Sequence, residues 1–147
     1  MNGIVETHEA EFDRIIEVWE SSVRATHDFL QEADIAAMRP QIRHNYLQAV
    51  KLRVFKDADS VIQGFVGVSE GNVEMLFVAP EAHGKEIGKA LLQYAVKQMN
   101  ATKLDVNEQN PQALAFYKKQ GFSVVSRSSH DGQGNPFPLL HLALTTC

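Results

Sequence analysis

The chain has 147 residues, 44% hydrophobic and 22% charged, which fits one globular domain over residues 1–147 that folds without disulfides or a structural metal. Its formal net charge of −4 argues against general nucleic-acid binding, which needs concentrated Lys and Arg to neutralise phosphates. The one cysteine, Cys147, has no partner for an internal disulfide, and no apolar stretch nears the roughly 20 residues that span a membrane. Gly3 to Glu6 reads as a short strand. Phe12, Ile15, Ile16, Trp19 and Val23 recur at helical spacing and predict a helix with a buried stripe. Thr26 stands to cap a second short helix through Phe29 and Leu30. Asp34 stands to cap a third segment carrying Met38, Ile42 and Tyr46, which Pro40 breaks or kinks.

The period then changes. Leu52 to Lys56, Val61 to Val68 and Val73 to Val78 are rich in β-branched and aromatic residues. DADS and SEGN separate them, so they read as an antiparallel meander. After Pro80 the helical period returns, with Ile87, Leu91, Tyr94 and Ala95 on one side. Thr102 to Val106 is a strand, Pro111 to Gln120 a helix, Phe122 to Ser128 a strand, and Leu139 to Leu144 the last strand. The fold class is α/β or α+β, a mixed sheet with helices on its faces. The strand ending at Val78, the helix after Pro80 and the strand at Leu104 form a β-α-β crossover, which makes those strands parallel neighbours. Ligands of such units bind where a strand's carboxyl end meets a helix's amino end.

The segment AHGKEIGKALL opens the helix after Pro80. Small residues let the backbone approach a phosphate, and unpaired amides with the helix dipole favour negative charge. Lys85 and Lys89 add cations on one face. An ordinary capped helix with a solvated basic face is the other reading of this segment. It is not a nucleotide P-loop, because Gly84 and Gly88 have three residues between them and Ala90 follows Lys89. The six histidines show no metal-ligand spacing, so no metal is expected.

The run VEMLFVAPEAHGKEIGKALLQYAV resembles the coenzyme-A loop of the GNAT superfamily of N-acetyltransferases. That family's pattern of Gln or Arg, two residues, Gly, one residue, then Gly or Ala falls on His83, Glu86 and Gly88. Downstream, VNEQNPQALAFYKKQGF resembles the family's second block. SSVRATHDFL and DGQGNPFPLLHL resemble the YjaB-like branch of bacterial GNAT proteins, so the resemblance covers nearly the whole chain. It implies a mostly antiparallel sheet in which the strand before the loop carries a bulge and splays from its parallel neighbour, leaving a wedge for the pantetheine arm of acetyl-coenzyme A. Leu76, Phe77 and Val78 would lie along that arm, and one backbone amide would polarise the thioester carbonyl. The amides of Gly84, Lys85, Glu86, Ile87, Gly88 and Lys89 would hold the pyrophosphate.

Direct transfer to a primary amine needs two proton movements, since the amine must lose one to attack and the departing thiolate is helped by gaining one. The resemblance gives the second role to Tyr117, a phenol that stays protonated at neutral pH. Asn110 would cap this helix with Pro111 at its first position. Asn110 and Tyr117, two helical turns apart, share a face. Asn107 either bonds the coenzyme arm or ends its strand. For the base there are two candidates. Glu74, two residues before Leu76, shares a sheet face with Leu76 and Val78, although a half-exposed strand carboxylate explains it equally. His27 titrates near neutral pH, although a histidine in a helix-start loop often has a structural role.

The chain departs from the pattern at two positions. His83 replaces Arg or Gln, a mild change if backbone amides make the main bonds. Glu86 replaces Gly and puts a negative charge where a pyrophosphate is expected. Like charges about 4 Å apart repel by roughly 1 kcal/mol in water and about 4 kcal/mol at an effective dielectric of 20. Binding would weaken from about fivefold to about a thousandfold. Lys85 and Lys89 stand to offset this, and Glu86 also reads as a favourable acid in a helix's first turn.

The family's acceptor region maps to Trp19, to His27, Asp28 and Phe29, and to His130 through Phe137, a set that suits an amine with some apolar body. Trp19 also lies on the apolar helix stripe. The acceptor class stays open among a peptide amino terminus, a lysine side chain, a polyamine, a free amino acid and a drug. Two other readings stand beside the enzyme: a coenzyme-A-binding module with little or no catalysis, and an interaction domain that binds no coenzyme. MNGIVETHEAEFDRI lacks the features of a secretory signal, so a cytoplasmic protein is expected, acting on a small-molecule or peptide amine and on neither membrane nor nucleic acid. Many relatives dimerise through their terminal strands, which allows a homodimer.

Overall fold

The computed structural model describes residues 3–26, 31–82, 86–130, 134 and 136–145. The chain divides into two units, Met1–Ala101 and Thr102–Cys147. In the first, β1 (Gly3–Glu6), β2 (Lys51–Lys56), β3 (Ile62–Ser69) and β4 (Asn72–Val78) pair antiparallel in chain order, which is the expected meander. The turns follow from local chemistry. Asp57 Oδ1 accepts from the backbone amides of Asp59 and Val61 at 2.8 and 3.0 Å. Glu70 and Gly71, at φ 51° and 80°, make a two-residue hairpin loop whose twist matches that of the strands it joins.

Helix α1 (Phe12–Thr26) buries the predicted stripe of Phe12, Ile15, Ile16, Trp19 and Val23 in one core with Leu52, Val54, Phe65 and Met75. Trp19, 2% exposed, is a core residue and not part of an acceptor surface. Thr26 is the last residue of α1. The short helix expected through Phe29 and Leu30 lies outside the described residues. Helix α2 (Glu32–Gln41) starts one turn earlier than the Asp34 cap implies. Gln31 is its N-cap, and the Asp34 carboxylate reaches back to accept from the Gln31 amide at 2.9 Å, a capping box in which Asp34 holds the third helical position.

Pro40 does not end α2, whose ladder continues to Gln41 and then widens into a π turn over Ile42–Tyr46 before α3 (Leu47–Ala49). The expected break is thus a change of hydrogen-bond register beside the missing proline N–H, with buried Ile42 and Leu47 holding the segment to the core. Ion pairs tie α1 to α2. Arg24 grips both carboxylate oxygens of Glu32 at 2.6 Å, and Glu20 accepts from Arg39 and Arg24. The Arg39 hydrogen bond, and after it that of Arg24, hold the Glu20 carboxyl below its ordinary range. Such half-exposed pairs contribute at most about 1 kcal/mol each.

Helix α4 (Ile87–Gln98) packs on the sheet through Ile87, Leu91, Leu92 and Ala95. The approach is close. A Cβ added at Gly64 of β3 would stand 3.0 Å from Leu91 Cδ1, 3.1 Å from the Phe77 carbonyl oxygen and 3.2 Å from Ile87 Cγ2. The two side chains can give way, but the carbonyl belongs to the β3–β4 ladder and cannot. Gly64→Ala is therefore expected to lower stability by about 1–3 kcal/mol, read as a lower urea midpoint at unchanged slope. A midpoint equal to that of the wild type would mean that Gly64 is not needed for this contact.

In the second unit, β5 (Lys103–Asn107), β6 (Phe122–Ser128) and β7 (Leu139–Leu144) form an antiparallel sheet with β7 in the middle. Helix α5 (Pro111–Lys119) joins β5 to β6. Leu104, Val106, Phe122 and Leu142 are buried. Because strand side chains alternate, Asp105, Asn107 and His141 stand on the opposite face from them.

Candidate active site

Two stretches of the first unit matter for an anionic ligand. In β4, Met75 pairs with Gly67 but Val73 pairs with Val68, so Glu74 is the unpaired extra residue of a bulge. Glu74 is exposed, and its carboxylate has no partner among the described residues. The bulge that the resemblance implies for this strand thus falls at the residue proposed as base. Leu76, Phe77 and Val78 follow the bulge and are half-buried, paired with Val66, Phe65 and Gly64. The Phe77 ring rests 5.7 Å from that of Phe65 and packs against the core. Its side chain is structural, and only its backbone is left to meet a ligand.

At the start of α4, Glu86 is the N-cap residue, with φ 60° and ψ 19° in the left-handed region. Its side chain is exposed and makes no cap hydrogen bond. Glu86 therefore precedes the helix and is not an acid of its first turn. The amides of Ile87, Gly88 and Lys89 have no intrahelical acceptor, and no side chain caps them. They present a positive dipole end, with the exposed Lys89 beside it. His83, Gly84 and Lys85 lie outside the described residues, as do His27, Asp28 and Phe29.

In the second unit, Asn110 caps α5 as expected, its Oδ1 accepting from the Ala113 amide at 3.2 Å with Pro111 next in the chain. The cap fixes the start of the helix, and two turns later Tyr117 is driven into the core. Its ring meets Phe116 and Phe122 edge to face at 5.3 and 6.3 Å. Tyr117 is 9% exposed, its hydroxyl has no hydrogen-bond partner among the described residues, and burial alone pushes its pKa well above the ordinary tyrosine value. The phenol therefore stays protonated at neutral pH. Asn107 ends its strand, since its Oδ1 accepts from the Gln109 amide at 2.9 Å, which leaves only its NH2 group for a ligand. His130 is exposed and bonds Ser129 at 2.9 Å.

One constellation was not legible in the sequence. Asp105 Oδ1 lies 2.6 Å from His141 Nδ1, and His141 Nε2 lies 2.7 Å from Ser128 Oγ. These residues come from three strands whose spatial order differs from their chain order, so no local spacing announces them.

The first unit thus offers an open helix amino terminus after a bulged strand, and the second a capped helix that buries a phenol. The chain belongs to the GNAT acetyltransferase family: the family description "Acetyltransferase (GNAT) domain" matches residues 16–138. It is an N-acetyltransferase with acetyl-coenzyme A as co-substrate. The chain is 37% identical over 142 residues, 97% of each protein, to the peptidyl-lysine N-acetyltransferase YjaB of Salmonella typhimurium. It is similar to the solution structure of apo YjaB from Escherichia coli, with a TM-score of 0.89, 33% identity, and coverage of 100% of this chain and 99% of that one. The fold is also that of a PaiA N-acetyltransferase from Thermoplasma acidophilum, crystallised in complex with coenzyme A, at a TM-score of 0.73, 22% identity, and coverage of 96% and 98%. Among the described residues no helix is long and apolar enough to cross a membrane.

Proposed function

We propose that this chain acetylates the side-chain amine of lysine in a peptide or protein, by direct transfer in a cytoplasmic setting, and that its two units work as one catalytic domain. The observation that carries the direct-transfer reading is Tyr117, a buried and partnerless phenol held by the Asn110 cap. It donates to the departing thiolate as the carbon–sulfur bond breaks. The open amides of Ile87, Gly88 and Lys89, together with residues 83–86, take the pyrophosphate, and the backbone of Leu76, Phe77 and Val78 takes the pantetheine arm. Glu74 serves the acceptor side, either as base or as an anchor for its cation. His27, Asp28 and Phe29 contribute to the acceptor pocket. The lysine assignment rests on the relative from Salmonella typhimurium, named a peptidyl-lysine N-acetyltransferase. The family match runs unbroken from residue 16 to residue 138, which supports a single catalytic domain.

The test is a pair of peptides, one with a free lysine and a blocked amino terminus, the other with a blocked lysine and a free amino terminus. Mass spectrometry is expected to find the acetyl group on the first peptide and not on the second. Acetylation of the second alone would replace the lysine reading with an amino-terminal one.

A further inference from the structure

A general acid works only from a fixed position, and α5 has little of its own with which to fix Tyr117. Its nine residues fall short of the roughly 12–15 at which an isolated helix begins to hold in water. Tyr117 is the one buried residue of the helix. Ala113, Leu114 and Phe116 are half-buried, and the rest of the helix is exposed. The other buried anchor is Asn110, the cap itself. Where α5 points therefore depends on what holds its start.

That start is the turn Asn107–Asn110. The Asn110 amide donates to the Asn107 carbonyl oxygen at 3.0 Å, and the Gln109 amide to Asn107 Oδ1 at 2.9 Å. These bonds shape the turn without tying it to the sheet. Glu108 ties it twice. Its amide donates to the Pro138 carbonyl oxygen at 2.9 Å, and its two carboxylate oxygens accept from Arg127 Nε and Nη2 at 2.5 and 2.9 Å. Arg127 on β6 pairs with Leu140 of β7, which pairs in turn with Val106 of β5. The ion pair thus crosses β7 and joins β6 to the turn that follows β5. A two-pronged fork of this kind fixes orientation as well as distance. The Arg127 hydrogen bond holds the Glu108 carboxyl below its ordinary range, so the pair is intact at neutral pH.

We propose that Arg127, acting through Glu108, is the positioning residue for the Tyr117 phenol, an inference that rests on the reading of Tyr117 as the acid. The ion pair fixes the turn, the turn fixes the Asn110 cap, and the cap sets the rotation of α5. Two helical turns on, that rotation decides where the hydroxyl points. Every residue of this sequence belongs to the second unit. Arg127 and Glu108 exchange no proton in the reaction. Both side chains are partly exposed, so the pair adds little to global stability, and its loss falls on the fraction of molecules with Tyr117 in place.

The experiment measures kcat and KM for Arg127→Gln, Arg127→Lys and Glu108→Ala, each with Tyr117 present and in the Tyr117→Phe background. The acceptor is whichever of the two peptides above the wild type acetylates. With Tyr117 present, kcat is expected to fall roughly two- to fivefold in Arg127→Gln and Glu108→Ala, the shift that an exposed pair can impose on an equilibrium. Arg127→Lys, which keeps the charge but not the fork, should lose less, and KM should change little. In the Tyr117→Phe background the same replacements should cost nothing further, because the group they position is gone. Equal losses in both backgrounds mark a purely structural pair and overturn the proposal, as does an unchanged kcat in Arg127→Gln. A Tyr117→Phe enzyme as fast as the wild type overturns the acid reading, and the proposal with it, before any Arg127 variant is compared. The phenol also gives a readout that needs no acceptor. Its ionisation, followed by ultraviolet difference absorbance against the Tyr117→Phe protein, should begin at lower pH in Arg127→Gln than in the wild type. The same onset in both proteins overturns the proposal.

Discussion

Replacing Tyr117 with Phe is expected to lower kcat by roughly 10²–10⁴-fold, the range of a positioned general acid, while the melting shift with acetyl-coenzyme A stays at its wild-type size. The ring contacts with Phe116 and Phe122 survive the change, and no hydrogen bond to another described residue is lost. The effect therefore falls on the chemical step and not on the fold. A variant within about tenfold of wild-type kcat would remove Tyr117 from the acid role. The same burial makes a second readout available. Burial raises the folded-state pKa of Tyr117 above its unfolded value of about 10, so above that pH the folded state binds more protons than the unfolded one. Stability is fully present below about pH 10 and falls as pH rises, by up to about 1.4 kcal/mol per unit. Urea unfolding between about pH 10 and 11 should show this decline in the wild type and a shallower one in Tyr117→Phe. Equal slopes would mean that the phenol ionises as freely as in the unfolded chain.

The second large effect is expected at Glu86. Two penalties meet there. The residue holds a left-handed conformation at φ 60°, which costs a side-chain-bearing residue about 1–2 kcal/mol, and it carries a negative charge beside the open amides of Ile87, Gly88 and Lys89. Glu86→Gly removes both. Acetyl-coenzyme A should bind at least about fivefold more tightly, from removal of a repulsion of roughly 1 kcal/mol or more. Stability should rise by up to about 1 kcal/mol, less what glycine loses through unfolded-chain entropy. Glu86→Gln separates the two causes, since it removes the charge and keeps the strain. It should recover most of the affinity and little of the stability. An unchanged dissociation constant in both variants would mean that the carboxylate never meets the pyrophosphate.

The resemblance led to an expected glycine at position 86, and the backbone gives the physical reason, because a left-handed turn starts α4 there. What was legible in the sequence was chiefly periodicity. The stripe of α1, the bounds of β6 and β7, and the Asn110–Pro111 start of α5 could be read because apolar spacing, turn residues and cap chemistry act over a few residues. The misreadings came where local signals trade roles. Asp34 is an excellent cap by type, yet it serves as the return partner of Gln31. The bulge in β4 followed from the resemblance, but its position at Glu74 did not show in the alternation, because Val73 and Met75 on either side are both buried. The Asp105–His141–Ser128 contacts depend on β7 lying between β5 and β6, a fact of pairing that no window of sequence contains.

The most direct test of the account is the melting transition of the wild type with and without saturating acetyl-coenzyme A. At about a hundred times the dissociation constant, binding to the folded state alone adds about 2.7 kcal/mol, and the account predicts a clear rise in melting temperature that Glu86→Gly enlarges at a fixed, lower coenzyme concentration. No rise in either protein would contradict the coenzyme site at the start of α4, and with it the transfer chemistry assigned to Tyr117.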